Sequence, residues 1–263
     1  MADVPHVETR DLSKRFGGVQ ALNEVSVSVV RGTVHALVGE NGAGKSTLGK
    51  LIAGVLQPNS GELLVEGDVV QFRSPRDALL HGVTMIAQEI SLVPTRSVVE
   101  NVFLGIETSH AGHVDRRSLR RRYDELEEHA QFGIPPGVPV GALRIAEQQK
   151  VEILRALARE AKLIVMDEPT AALTGDEAQK LLEIVRELRR RGTTIVYVSH
   201  FLEEVLSIAD VVTVLRDGQL VETADAAGQT TTSLVTAMLG RSMETTFPPK
   251  KPPRANASRG VMR

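Results

Sequence analysis

The run Gly39-Glu40-Asn41-Gly42-Ala43-Gly44-Lys45-Ser46-Thr47 constrains this chain more than any other segment. It fits the pattern G-x-x-x-x-G-K-[ST], whose backbone turns inward around an anion. Glycines at Gly39, Gly42 and Gly44 remove the Cβ atoms that would block that turn. The intervening Glu40, Asn41 and Ala43 complete the loop. The Lys45 ammonium supplies a point charge for β- and γ-phosphates, and the Ser46 hydroxyl is a ligand for Mg²⁺. The flanks agree with this reading. Val34–Val38 predicts a strand into the loop, and residues from Ser46 to Ala53 predict a helix out of it. The positive end of that helix favours phosphate. A strand, a glycine loop and a helix in this order imply an α/β fold with a nucleoside triphosphate site.

Composition narrows the setting. With 263 residues, 42% of them hydrophobic, the chain can bury a globular core as one large or lobed domain. No apolar run approaches the roughly 20 residues of a membrane-spanning helix. The opening Met1–His6 has no basic segment followed by an apolar one, and predicts no secretory signal. There are 0 cysteines, which excludes disulfides and thiolate metal sites and fits a reducing compartment. A net charge of −2 argues against nucleic acid as a partner, because phosphate backbones call for a basic surface.

Strand-like alternation marks the first third: Val7–Arg10, Val25–Val29 ending at Arg31-Gly32, and Glu62–Glu66 before Gly67-Asp68. These segments surround the phosphate loop and predict a small antiparallel sheet beside the main one. From about Leu79 to Arg159 the pattern turns helical and charged. Within it, Arg116–Glu128 pairs Arg120 with Asp124 and Arg121 with Glu125 at i,i+4 spacing, a solvated face or a basic docking face. Pro135–Pro139 is a stiff loop. Leu163–Met166 and Ile195–Val198 read as buried parallel strands, joined by a helix that Thr174 and Glu177 cap and Gly192 follows. That order implies a right-handed parallel crossover. Beyond Met243 the chain is Pro- and Lys/Arg-rich and predicts a tail or linker over 244–263.

Five further positions carry candidate chemistry. Asp167 and Glu168 end a buried strand, where ligands bind in open α/β sheets. The first carboxylate suits Mg²⁺ and the second suits the attacking water. His200 ends the next strand and is placed to donate to a γ-phosphate. Gln88, leaving the strand Val83–Ala87, can bind Mg²⁺ through its carbonyl. Phe16, in the loop Lys14–Val19 upstream of the phosphate loop, offers a ring to stack on adenine in a chain with only 3% aromatics.

Together these motifs resemble the ATP-binding cassette (ABC) ATPases over roughly residues 4 to 240. The resemblance implies an adenine-stacking aromatic at Phe16, the phosphate loop Gly39–Thr47 and a glutamine loop at Gln88. It also implies an acidic strand end at Asp167-Glu168, a following loop at Ala171–Thr174 and a switch histidine at His200. The implied fold is a P-loop NTPase core with a mixed, mainly parallel sheet, an N-terminal antiparallel β subdomain and an inserted α-helical subdomain at about 89–160. Residues 1–243 would form the cassette. VGENGAGKST, QQKVEI, MDEPTAALT and VTVLRDGQ are most similar to sugar importers of the ribose, galactose and xylose type.

The family's signature, LSGGQ in its usual form, falls on Leu143-Arg144-Ile145-Ala146-Glu147. This segment would act in trans on ATP held by a second cassette. Arg144 stands where the family has serine and Ala146 where it has glycine. The implied function is an ATP hydrolase on the inner membrane face, using ATP and Mg²⁺. It would drive monosaccharide import through a partner permease, with an extracytoplasmic sugar-binding protein acting indirectly. Two alternatives stay open: a non-hydrolysing regulatory cassette paired with a different one, and a soluble ATPase of the same family outside transport.

Overall fold

Val34–Val38, Leu163–Asp167 and Thr194–Val198 are buried at every position, so these three strands need cover on both faces. A computed structural model describes residues 4–88, 90–107, 109–110 and 113–240 and provides that cover. In chain order the strands are β1 (Val7–Phe16), β2 (Val19–Val29), β3 (Val34–Val38), β4 (Ser60–Val65), β5 (Asp68–Val70), β6 (Val83–Ile86), β7 (Ser109–His110) and β8 (His113–Val114). They continue as β9 (Leu163–Asp167), β10 (Thr194–Val198), β11 (Val211–Arg216) and β12 (Gln219–Asp225). The helices are α1 (Lys45–Ile52), α2 (Pro75–Leu80), α3 (Val98–Val102), α4 (Arg116–Ala130), α5 (Ile145–Ala158), α6 (Gly175–Arg190), α7 (Leu202–Ile208) and α8 (Thr231–Leu239).

The main sheet runs β12-β11-β3-β10-β9-β6, parallel throughout except for the antiparallel edge pair β11/β12. A second sheet, β2-β1-β4-β5, is antiparallel. Between them lies one apolar core in which Leu48 and Ile52 of α1 meet Leu12, Leu22 and Val25 from the antiparallel sheet and Val165 and Val198 from the parallel one. The opposite face of the main sheet packs under α6, α7 and α8 through Leu181, Val185, Val205 and Leu234. Helices α3, α4 and α5 share a third core around Val102, Phe103, Tyr123, Val151 and Leu154, where the Tyr123 hydroxyl donates to Ile134 O at 2.6 Å.

The strand expected over Val83–Ala87 forms as Val83–Ile86, paired with Leu163–Met166. In the otherwise helical stretch from Leu79 to Arg159, Ser109–His110 also pairs antiparallel with His113–Val114, and prolines at 94, 135, 136 and 139 interrupt the helices. One expectation is corrected. Phe16 belongs to a strand, because β1 runs through it and Gly17-Gly18 turns directly into β2 with Phe16 opposite Val19. The predicted tail 244–263 lies outside the described residues.

His35 is buried in β3, with Nε2 2.7 Å from Thr213 Oγ1, and burial lowers its pKa to about 4. The unfolded chain therefore takes up a proton near pH 6.5 that the folded chain refuses until about pH 4. Stability conferred by the neutral ring is complete above pH 6.5, falls through that window and is fully lost below it. We expect urea unfolding at pH 7 and 4.5 to show a smaller acid loss for His35→Gln than for the unchanged chain, by up to about 3 kcal/mol. Equal losses would contradict this.

Candidate active site

Strands β3, β10, β9 and β6 are neighbours and parallel, so all four carboxyl ends emerge on one edge. The register sets Ala36 beside Tyr197, Tyr197 beside Met166 and Met166 beside Ile86. The segments that leave these ends carry Gly39 to Thr47, His200, Asp167-Glu168 and Gln88. The fold therefore gathers residues that lie over 160 positions apart in the sequence.

The glycine loop is shaped by its surroundings. A Cβ on Gly39 would lie 2.3 Å from Leu215 O of β11, and one on Gly44 would lie 2.6 Å from the Leu22 side chain and 2.7 Å from Ala21 O. Gly44, at φ +102°, is also the residue that opens α1. Gly42 has φ +85°, and open space lies where its Cβ would be. One turn inside the loop, Ala43 N–H donates to Glu40 O at 3.1 Å. The Lys45 ammonium folds back to donate to Gly39 O (2.9 Å) and Glu40 O (3.0 Å), leaving one of its three protons free. Burial lowers the Lys45 pKa, and the charges of Glu168 and Asp167 oppose that shift.

Ser46 Oγ donates to Asp167 Oδ1 at 2.8 Å, joining the first turn of α1 to the end of β9. Asp167 is buried, which raises its carboxyl above the ordinary aspartate value against the hydrogen bond from Ser46 and the charges of Lys50 and Lys45. Glu168 holds a left-handed backbone at φ +48°, an unfavourable conformation for a branched-free but bulky side chain, fixed by its N–H bond to Val198 O at 2.9 Å. Its carboxylate accepts from Gln88 Nε2 at 3.3 Å, and Oε1 lies 3.2 Å from His200 Nδ1.

A cavity of about 360 Å³ is lined by Asn41, Gly42, Gly44, Lys45, Ser46, Thr47, Gln88, Glu168 and His200, and Asp167 joins it through Ser46. The first turn of α1 has N–H groups without intrahelical partners, and an ammonium stands beside them, a combination suited to a polyphosphate. The hydroxyl and carboxylate of Ser46 and Asp167 are hard oxygen donors of the kind that bind Mg²⁺. The donor set thus fits a nucleotide and its cation. A larger open depression of about 730 Å³, over Phe103, Leu126, Phe132 and Leu188, carries none of the motif residues.

Other expected positions stand apart from this cavity. Phe16 is 46% exposed and does not line it; Lys14 Nζ sits 5.3 Å from its ring centre. Leu143, Arg144, Ile145, Ala146 and Glu147 form the entry to α5. Arg144 is exposed and extended, its N–H donates to Glu147 Oε2 at 2.9 Å, and Ile145 is 63% exposed. Sequence reasoning missed the support beneath Glu168. Thr170 Oγ1 and the buried Tyr197 hydroxyl both donate to Glu204 Oε2, at 2.8 and 3.3 Å. It also missed Gln149, whose amide donates to Pro169 O at 2.6 Å. The QQKVEI segment carried a signal for Gln149, but the Glu204 contacts depend on tertiary packing.

The loop geometry predicts different outcomes for two substitutions. Gly39→Ala forces backbone to shift at Leu215 and is expected to lower unfolding stability by more than 2 kcal/mol in urea titration (roughly the range of special-backbone effects). Gly42→Ala meets open space and should cost only about 1–2 kcal/mol, from its positive φ. Equal losses would contradict the assigned geometry.

A family model described as ABC transporter matches residues 22–171. The chain is 48% identical over 246 residues to the ribose import ATP-binding protein RbsA 2 of Rubrobacter xylanophilus, covering 93% of this chain and 47% of that protein. It is 43% identical over 249 residues to the galactose/methyl galactoside import ATP-binding protein MglA of Clostridium tetani, covering 93% and 49%. The chain thus spans about half the length of the curated relatives it matches. Among solved structures, a nucleotide-free ATP-binding cassette from an ABC transporter superposes with a TM-score of 0.75 at 27% identity, covering 89% of this chain and 94% of that one.

Proposed function

The chain belongs to the ABC transporter family of ATP-binding domains, and from that premise we propose that it hydrolyses ATP to power import of a small solute, a monosaccharide, through a partner permease. The observation that carries the hydrolytic reading is Glu168, held by Gln88 and facing His200, at the edge of the cavity that contains Lys45 and Ser46. The sugar assignment rests on the ribose and galactose import proteins to which the chain is similar. Among the described residues no helix is long and apolar enough to cross a membrane, so the solute path belongs to another subunit in this reading. The cassette is peripheral on the cytoplasmic face, and an extracytoplasmic sugar-binding protein acts on it only indirectly.

In the proposed mechanism, Lys45 and the N–H groups of the loop and of the start of α1 hold the phosphates. Phe16 stacks on adenine. Ser46, Asp167 and Gln88 would hold Mg²⁺, which would supply charge neutralisation of the phosphates when bound. Glu168 orients a water molecule and accepts its proton as the water oxygen bonds to the γ-phosphorus. The bond from that phosphorus to the bridging oxygen breaks, giving ADP and phosphate. His200 donates to the γ-phosphate and holds Glu168 in place. Residues 1–243 act as the cassette and about 89–160 as its helical subdomain, with 244–263 as a linker. A second cassette, another copy or the remainder of a longer chain, presents its own signature to this site and receives Leu143–Glu147 in return.

Glu168→Gln tests the reading. Its turnover of ATP should fall about 10²- to 10⁴-fold, the usual contribution of a general base, with ATP affinity changed only a few-fold. With Mg-ATP, its mass in solution should also shift from one cassette to two. Equal turnover in the variant and the unchanged chain would contradict hydrolysis at this site.

A further inference from the structure

Helix α5 carries three polar side chains at every third position, Gln149, Glu152 and Arg155, against an otherwise apolar face. None of them lines the cavity, yet all three contact the segments that lead away from its key residues. Gln149, 5% exposed, donates to Pro169 O, the carbonyl directly after Glu168. Glu152, 7% exposed, accepts from Ser91 N–H at 2.8 Å and from Ser91 Oγ at 3.0 Å with the same oxygen, three positions after Gln88. Arg155 pairs with the other Glu152 oxygen at 3.5 Å and donates to Ser91 Oγ at 3.2 Å.

The segment after Ser91 is fixed to the same lobe. Leu92 packs on its core, and Val93 exchanges two hydrogen bonds with the buried Asn101, N–H to Oδ1 at 2.7 Å and Nδ2 to the carbonyl at 3.1 Å. A buried ion pair is weak support for stability, since replacing both partners by apolar residues of similar volume often serves as well, whereas removing one partner alone is destabilising. What Glu152 specifies is position. Ser91 cannot move relative to α5 without leaving a buried charge short of its N–H donor.

We propose that Glu152 and Gln149 are positioning residues for hydrolysis: through one rigid helix they set the flank of Gln88 against the flank of Glu168, and so fix the 3.3 Å contact between those two side chains. The proposal rests on the hydrolytic reading for its kinetic consequence but not for its structural one. Because Leu143–Glu147 leads into α5, the same helix joins this site to the segment offered to a second cassette.

The test uses the full chain with Glu152→Leu, Glu152→Gln and Gln149→Leu. The leucine variants should lose about 10- to 100-fold in kcat, the scale of a small misplacement, while KM for ATP stays close to that of the unchanged chain. Glu152→Leu also leaves Arg155 and the Ser91 N–H short of a partner and should lower the urea midpoint, so kcat is compared at a temperature at which every variant is fully folded. Glu152→Gln keeps an acceptor for Ser91 N–H and should restore most of kcat. A leucine variant with intact kcat, or a loss in the glutamine variant equal to that in the leucine one, would overturn the proposal. If Glu152→Leu does not fold, Ser91→Pro removes the same N–H from the other side and should show the same kcat loss.

A second readout does not need turnover. The Gln88 side-chain amide resonance, assigned against Gln88→Ala, should move on addition of Mg-AMPPNP in the unchanged chain and in Glu152→Gln, but not in Glu152→Leu. A shift in Glu152→Leu equal to that of the unchanged chain, or no shift in the unchanged chain, would overturn the proposal. Turnover in the unchanged chain no higher than in Glu168→Gln would instead overturn the hydrolytic reading, and the resonance would still decide this one.

Discussion

Parallel pairing of β3, β10, β9 and β6 is the constraint on which the rest of the structure depends. Parallel strands end on the same edge, and every strand in this set is followed by a segment bearing a functional group. The hydrogen-bond ladder therefore fixes the spacing of Lys45, Asp167, Glu168, His200 and Gln88 before any side chain contact is made. Burial of β3, β9 and β10 on both faces makes a slip in register costly, because each residue would exchange one packed face for the other. Leu215, from the next strand, closes the arrangement by leaving space at Gly39 for hydrogen alone.

Within this frame the site stores charge and strain at close range. Asp167 is buried with its carboxyl raised, Lys45 is buried with its ammonium lowered, and Glu168 sits in left-handed backbone. Each state is unfavourable alone and is held by a neighbour: Ser46 for Asp167, the loop carbonyls for Lys45, Val198 O for Glu168. Perturbed groups gathered at one strand edge mark a candidate functional site.

Much of this was legible in the sequence, for physical reasons. The glycines of residues 39–44 announce a loop of unusual backbone, with no room for a Cβ at Gly39 and Gly44, and Leu163–Met166 followed by two acids announces a buried strand with a charged end. The antiparallel sheet was legible from alternation at Val25–Val29. Less was visible where tertiary contact decides. Phe16 was read as a loop residue, because two glycines mark a turn without showing where the strand before it stops. Glu152 reads as one more charge on a helix, and its burial against Ser91 arises from a contact 61 positions distant. The substitution of Arg144 for a signature serine was visible at once; the structure adds that its side chain stands exposed at the start of α5.

The central claim is that these strand ends build one Mg-ATP site. Calorimetric titration of Mg-ATP into the full chain and into Lys45→Ala and Asp167→Asn tests it most directly. The account predicts saturable binding by the unchanged chain, near abolition of binding by Lys45→Ala, and in Asp167→Asn a loss confined to the Mg²⁺-dependent part of the affinity. Absence of binding, or binding that both substitutions leave unchanged, would contradict it.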